Sequence, residues 1–419
     1  MTENPRQDFL FLDGLRGIAA LQVVFLHYLS AFLPVSADAG SPAHYDWERA
    51  AAHSIFSYIW DGYSAVYIFF IMSGFVLAQS FIRSDLSAPR TVAKRFARLF
   101  FPVAIAAAIA ATLHPVINHF KLAAVSISGS EWLTNVFHNP MSLRSVAKDI
   151  FFSSMAVGYD GVSILQSALS PYLQSIYSPT NFALNPPMWT LHGELWGSML
   201  VLFLANIYKR LPPIWSGAII ALVFVWVGTS QLSLFAIGFS LYLGREKLLA
   251  CRNWKHVVLS VALLCLGVWI CVRRDLPAVL QLDIWLVNHS DLRAYNDAHF
   301  QSSLGALLVL VAVIINPHFR KLLSSKMTNE LGRLSFSIYI LHFPIMLTLG
   351  CAIFSKLAPY NYLIGCAISI VIGTATTIVC AHFYERHIDR ASIKLANRLS
   401  RIRSPFEWRP GSGEMDGSK

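Results

Sequence analysis

Three ionisable side chains, His27, Glu194 and His342, stand inside membrane-length apolar runs of this chain. A charged group at mid-bilayer costs about 2.5–3.5 kcal/mol on insertion scales, so residues of this kind mark functional sites by default. Their depths can be read from the helical rise of 1.5 Å per residue. His27 lies about 16 Å above Arg16, His342 about 13 Å above Arg333, and Glu194, entering from the opposite face at Pro187, about 20 Å above the inner boundary. Three helices thus deliver two imidazoles and a carboxylate to one level, which are the parts of an intramembrane acid–base site. In that site His27 is the expected general base, with Glu194 orienting it or stabilising its protonated form.

Helical phase extends the set. Arg16 and His27 share a face, with Gly17, Ala20 and Val24 keeping it narrow. Ser335, Tyr339 and His342 follow an i, i+4, i+7 stripe, and Thr190 and Glu194 are i, i+4, while His192 points to the other side. Plainer readings stand beside these. An intramembrane histidine such as His342 commonly bonds a backbone carbonyl, and His192 reads as structural. Arg95 and Arg98 can present two guanidinium forks to phosphates, or simply belong to the basic band Lys94–Arg98 that orients a span. No metal is expected. His192-Gly193-Glu194 imitates the His-x-Glu of zinc deaminases, but no Pro-Cys-x-x-Cys follows. The six cysteines form no Cys-x-x-Cys pair and read as packed small residues rather than a disulfide framework.

The elements that must position these groups are membrane spans. Of 419 residues 55% are hydrophobic and only 13% charged, against about a quarter charged in soluble chains. Ten spans are expected, at 15–34, 63–82, 99–118, 187–208, 213–230, 231–244, 256–272, 302–317, 334–354 and 361–383; the sixth is short. The fold class is therefore all-α, a polytopic transmembrane bundle with both termini cytoplasmic. On that topology about three quarters of the Lys and Arg residues face inward, as the positive-inside rule requires, and this distribution accounts for the net charge of +10 without nucleic acid. Merging the fifth and sixth spans would throw the Arg320–Arg333 cluster outward. Ala37-Asp38-Ala39 imitates a cleavage site, but the region before the run carries Glu3, Arg6, Asp8, Asp13 and Arg16, which is not the positive n-region of a signal, so the first helix reads as retained. Residues 119–186 and 273–301 are long outer segments without a span, the first a lid, a substrate face or an aromatic belt. Residues 386–419 form a basic cytoplasmic tail, partly an amphipathic helix on the anionic leaflet and then disordered.

Taken together the motifs resemble the acyltransferase 3 family of integral-membrane enzymes. The resemblance rests on Phe11-Leu12-Asp13-Gly14-Leu15-Arg16-Gly17-Ile18-Ala19-Ala20 with His27 at Arg-x10-His spacing, and on Phe69-Phe70-Ile71-Met72-Ser73-Gly74-Phe75. It is carried further by Arg95-x-x-Arg98 before Pro102, by Trp189-Thr190-Leu191-His192-Gly193-Glu194, and by the run from Leu331 to His342. It covers residues 8–385. It implies about ten helices in a bacterial inner membrane and transfer of an acyl group, commonly acetyl from acetyl-CoA, to a hydroxyl of an extracytoplasmic or lipid-linked carbohydrate. No permanently bound cofactor is implied; acyl-CoA is the donor substrate, and some members add a fused periplasmic domain, a relay expected here to be absent or supplied by a partner. It also implies that the Arg16 and His27 pair and the Arg95 and Arg98 pair are functional, which favours a donor-binding role for Arg95 and Arg98, with the thioester running along the Arg16 stripe. On this reading Ser335, Tyr339 and His342, with Trp189 and Thr190, line the tunnel or donate to the oxyanion. The alternative is a proton-coupled transporter using the same His and Glu residues as a relay, although no internal repeat of the kind such transporters carry is visible. A purely structural membrane subunit would leave the three convergent residues without a purpose.

Overall fold

A computed structural model describes residues 9–37, 40–165, 176–228, 230–250, 253–273, 281 and 299–400. Among these the secondary structure is helical throughout, with one isolated bridge between Tyr159 and Ser178. A helix occupies each of the ten expected stretches. They are α1 (Leu10–Phe32), α2 (Gly62–Ile82), α3 (Ala88–Thr112), then α4 (His114–Ser128) in the connection, α5 (Trp189–Arg210), α6 (Pro213–Val227), α7 (Leu232–Leu243), α8 (Trp254–Val272), α9 (His299–Ile315), α10 (Lys326–Ile345) and α11 (Tyr362–Tyr384). Six helices are long and apolar enough to cross a bilayer, and a seventh if α9 is taken with Pro317–Leu323, which turns from it by 96°. The protein is a multi-pass membrane protein. Helices α6 and α7 are shorter apolar helices, and α5, carrying His192, Glu194 and a Lys209-Arg210 end, falls outside the six.

One expectation needs correction and another gains detail. The third span starts not at 99 but at Ala88, so Arg95 and Arg98 lie inside α3 rather than in a band below it. The segment 119–186, expected as a long outer stretch without a span, is largely built of short helices where described, an arrangement the sequence did not indicate: α4, Glu131–Asn135, Leu143–Lys148 and a π-turn segment at Asp149–Val157. Tyr172, the Ala37-Asp38-Ala39 junction beyond Ala37, most of 273–301 and the tail beyond Ser400 lie outside the described residues.

The site is set by how closely α1 approaches α10. A Cβ placed on Gly17 would stand 2.6 Å from the Gly332 nitrogen, and one on Gly332 would stand 2.0 Å from the Asp13 carbonyl oxygen. Only glycine permits that contact, the small-residue packing that replaces hydrophobic driving force between helices in lipid. It brings Arg16 level with the Ser335 turn and His27 level with His342. Near the top of α10, Pro344 lacks a donor and the ladder widens into a π turn at Met346–Gly350 before continuing to Leu357. A second π turn, Glu385–Asp389, carries α11 into α12 (Arg390–Leu399). Helix α12 folds against α3, where the Ser392 hydroxyl donates to the Arg98 carbonyl at 2.9 Å. The basic tail therefore begins as part of the bundle. No disulfide joins the five described cysteines; Cys251 lies outside the described residues.

Candidate active site

Four helices, α1, α2, α5 and α10, line two cavities stacked along their axes, and α3 joins them at the smaller. The first, about 120 Å³, is lined by Arg16, Ser73, Arg95, Arg98, Glu194 and Ser335 among apolar neighbours. The second, about 550 Å³, holds His27, Trp132, Asn135, Asn181 and Trp189. The order along each helix fixes the stacking. On α2, Gly62, Tyr63 and Val66 face the larger cavity, and Val66, Phe69, Phe70 and Ser73 the smaller. On α1, Arg16 belongs to the smaller cavity, and Val23, His27 and Ser30 to the larger. The linings share two residues, Val66 and Tyr339.

In the smaller cavity Glu194 pairs with Arg95 and accepts a hydrogen bond from the Ser73 hydroxyl at 3.0 Å. Arg95 reaches it from α3, and Arg98, one turn further on, lines the same space beside Arg16. Three guanidinium groups and one carboxylate line this space, with Asp13 3.9 Å from Arg16 and Asp389 near Arg98; the guanidinium forks suit phosphate or a developing anion. The expected partnership of Glu194 with His27 is thus corrected. The carboxylate is held by Arg95 and Ser73, and the two groups line different cavities.

His27 instead meets His342. Its Nδ1 lies 2.9 Å from His342 Nε2, and the ring centroids are 4.9 Å apart. The hydrogen-bond network assigns the protons. His342 Nδ1 faces two carbonyl oxygens, of Tyr339 at 2.7 Å and Ile338 at 3.3 Å. Carbonyls only accept, so Nδ1 carries the hydrogen and Nε2 offers its lone pair. His27 Nδ1–H then donates to that lone pair, and the basic nitrogen of His27 is Nε2. The His27 ring also packs beside Trp132 and edge-on to Phe343. His342 has the backbone bonding of a structural histidine and a second role through its other nitrogen.

Of the remaining expected site residues, Thr190 and Tyr339 bond each other at 2.8 Å, and the Tyr339 hydroxyl donates to the Pro187 carbonyl at 2.8 Å. Ser335 donates to the Gly332 carbonyl at 2.8 Å. The protons expected to serve an oxyanion are therefore engaged: Ser335 with Gly332, Tyr339 with Pro187, His342 with Tyr339. Trp189 lines the larger cavity. His192 sits apart, with Nδ1 at 3.0 Å from the Met155 carbonyl and Nε2 at 3.2 Å from the Ser163 hydroxyl. Sequence reasoning passed over Ser73 and Asn185. Ser73 stood in the quoted Phe69–Phe75 motif without a role, and it was detectable as the polar residue at the middle of an apolar helix. Asn185, which donates to the Ile340 carbonyl at 2.7 Å and pins the start of α5 to α10, carried no such signal.

The family model Acyl_transf_3, an acyltransferase domain, matches residues 9–381. The chain belongs to this acyltransferase family. A curated relative, O-acetyltransferase PaAT-1 of Phomopsis amygdali, is 22% identical over 459 aligned residues, which cover 96% of this chain and 87% of the relative. No solved structure matches this acyltransferase. The match runs through both cavities, from α1 to α11, so the basic cavity and the histidine pair both belong to the acyltransferase domain.

Proposed function

We propose that this acyltransferase moves an acyl group, acetyl from acetyl-CoA, onto a hydroxyl, and that the two cavities divide the substrates between them. Arg16, Arg95 and Arg98 hold the donor's anionic groups at the basic end, which faces the cytoplasm. The acceptor occupies the larger cavity beside His27. The single observation that carries this reading is the pairing of His27 Nδ1 with His342 Nε2, which leaves Nε2 as the basic nitrogen of a residue that lines one cavity while three arginines line the next.

In the reaction His27 Nε2 takes the acceptor proton as its oxygen attacks the thioester carbon. The tetrahedral intermediate collapses, the carbon–sulfur bond breaks, and the imidazolium returns the proton to the departing thiolate. His342 acts through His27. Its lone pair accepts from His27 Nδ1–H throughout, steadying the imidazolium that forms and holding the ring in the productive tautomer. Glu194 keeps Arg95 extended into the donor cavity.

The acceptor's chemistry follows from its cavity. Among the described residues its lining contains no Asp, Glu, Lys or Arg side chain, and it offers Trp132, Trp189 and Tyr63 rings with Asn135 and Asn181 amides. Flat apolar faces with a few amide groups suit a neutral, hydroxyl-rich ring compound, such as a carbohydrate or the head of a glycolipid. The O-acetyltransferase activity in the name of the fungal relative agrees with an oxygen acceptor, and it leaves the bilayer's organism open.

His27→Ala is expected to abolish acyl transfer by purified protein, a loss on the order of a hundredfold or more for a general base, with the folded yield unchanged. Retention of substantial turnover would reject His27 as the base. Arg95→Ala combined with Arg98→Ala is expected to raise the apparent acyl-CoA KM; an unchanged KM would separate these residues from the donor.

A further inference from the structure

The partition between the cavities has its own chemistry. Tyr339 and Val66 are the residues both linings share. The Tyr339 ring stands edge-on to Phe69, with centroids 6.1 Å apart, and its hydroxyl is fastened at two points. One fastening is the Pro187 carbonyl, whose residue lines the larger cavity. The other is Thr190, whose residue lines the smaller. The latch therefore has one foot in each chamber.

Water is the competing nucleophile. At about 550 Å³ the larger cavity has room for many waters, each with a share of about 30 Å³. Water there would share the cavity with the same His27 that would activate the acceptor. If the thioester carbonyl were open to them, a water oxygen would attack its carbon and its proton would pass to His27. The carbon–sulfur bond would then break, and the thiolate would take that proton, leaving free carboxylic acid and thiol. The histidine itself does not discriminate between the two hydroxyl sources.

We propose that Tyr339 makes the discrimination: its latched ring, with Val66, keeps the thioester out of reach of water until an acceptor displaces the latch. Tyr339 is then a specificity-determining residue, governing transfer against hydrolysis. An acceptor packed against Pro187 and Trp189 bears on one fastening and a donor acyl group against Thr190 on the other, so both substrates together free the ring. This inference rests on the proposed donor and acceptor cavities.

The test uses full-length protein in lipid nanodiscs. Thiol release from acetyl-CoA is followed without acceptor and with octyl β-D-glucoside, a neutral hydroxylated probe, whose acetyl ester is also quantified. Tyr339→Phe keeps the ring and loses the latch. Its acceptor-free thiol release is expected to rise at least about five- to tenfold over wild type, the factor that loss of even one of its two hydrogen bonds makes. Tyr339→Ala, which removes the ring as well, is expected to exceed that, and adding His27→Ala to either variant should return release to background. Because Tyr339→Phe is nearly isosteric, its result stands even if Tyr339→Ala fails to fold. Acceptor-free release in folded Tyr339→Phe no higher than in wild type would overturn the proposal, whether or not the glucoside is acetylated. Failure of the underlying reading looks different: thiol release, with or without the glucoside, that is insensitive to His27→Ala in the wild-type background.

Discussion

A histidine becomes a useful base only when its surroundings decide which nitrogen carries the hydrogen. Here that decision starts two residues away from the chemistry, at the Tyr339 carbonyl, and passes through His342 to His27. His342→Leu removes the acceptor for His27 Nδ1–H, and kcat is expected to fall by about tenfold or more with little change in KM, the mark of an interaction that matters in the transition state. His342→Gln offers an amide oxygen at a similar reach and should recover part of that loss; equal damage in both variants would mean His342 only fills space. Sequence depth brought His27 and His342 to one level because both estimates rest on rise per residue. It could not give Glu194's direction. That side chain reaches toward Arg95, which sequence reasoning had left below the bilayer core because the polar first turns of α3 hide the helix's true start at Ala88.

At the scale of elements, α1 and α10 form the rigid half of the site. Gly332→Leu would drive a side chain into the Asp13 carbonyl and is expected to lower the thermal midpoint and separate the histidines; a thermal scan with activity on the same sample reads both. The connection before α5 is anchored differently. Asp149 accepts from the Tyr159 hydroxyl at 2.7 Å and from the Leu184 amide at 3.1 Å. Burial pushes its carboxyl up to about 6, although both hydrogen bonds favour the charged form. The folded state therefore holds a proton that the unfolded chain has already released. Stability from this anchor is fullest below an ordinary carboxylate pKa and is lost as pH rises through about 6, by about 3 kcal/mol in the limit. Hydrogen exchange in 149–157, corrected for its intrinsic pH dependence, should show easier opening at about pH 8 than at about pH 5; a flat profile would contradict it. None of this was legible in the sequence, where Asp149 is one acid among many and its burial depends on contacts with Tyr159 and Leu184.

For the whole molecule, the ten apolar stretches were legible because lipid demands continuous runs, and each is helical. What the runs could not reveal is that the tail joins the bundle through a π turn, with Ser392 bonded behind Arg98. Truncation after Asp389 is accordingly expected to weaken acyl-CoA binding more than it weakens acceptor use, measured as separate KM values. The proposed sidedness is checked by single cysteines placed at Asp13 and Asn181 in a cysteine-free background. An impermeant thiol reagent added outside intact cells should label the second and spare the first.

One consequence of the shared wall is electrical. A protein with recesses stacked through a membrane risks short-circuiting the membrane that hosts it. Among the described residues, Tyr339 and Val66 line both recesses and so stand at the wall between them. Vesicles bearing the wild-type protein should hold an imposed proton gradient as long as bare lipid does, and vesicles bearing Tyr339→Ala should let it run down. The residue that guards the thioester would then also insulate the cell.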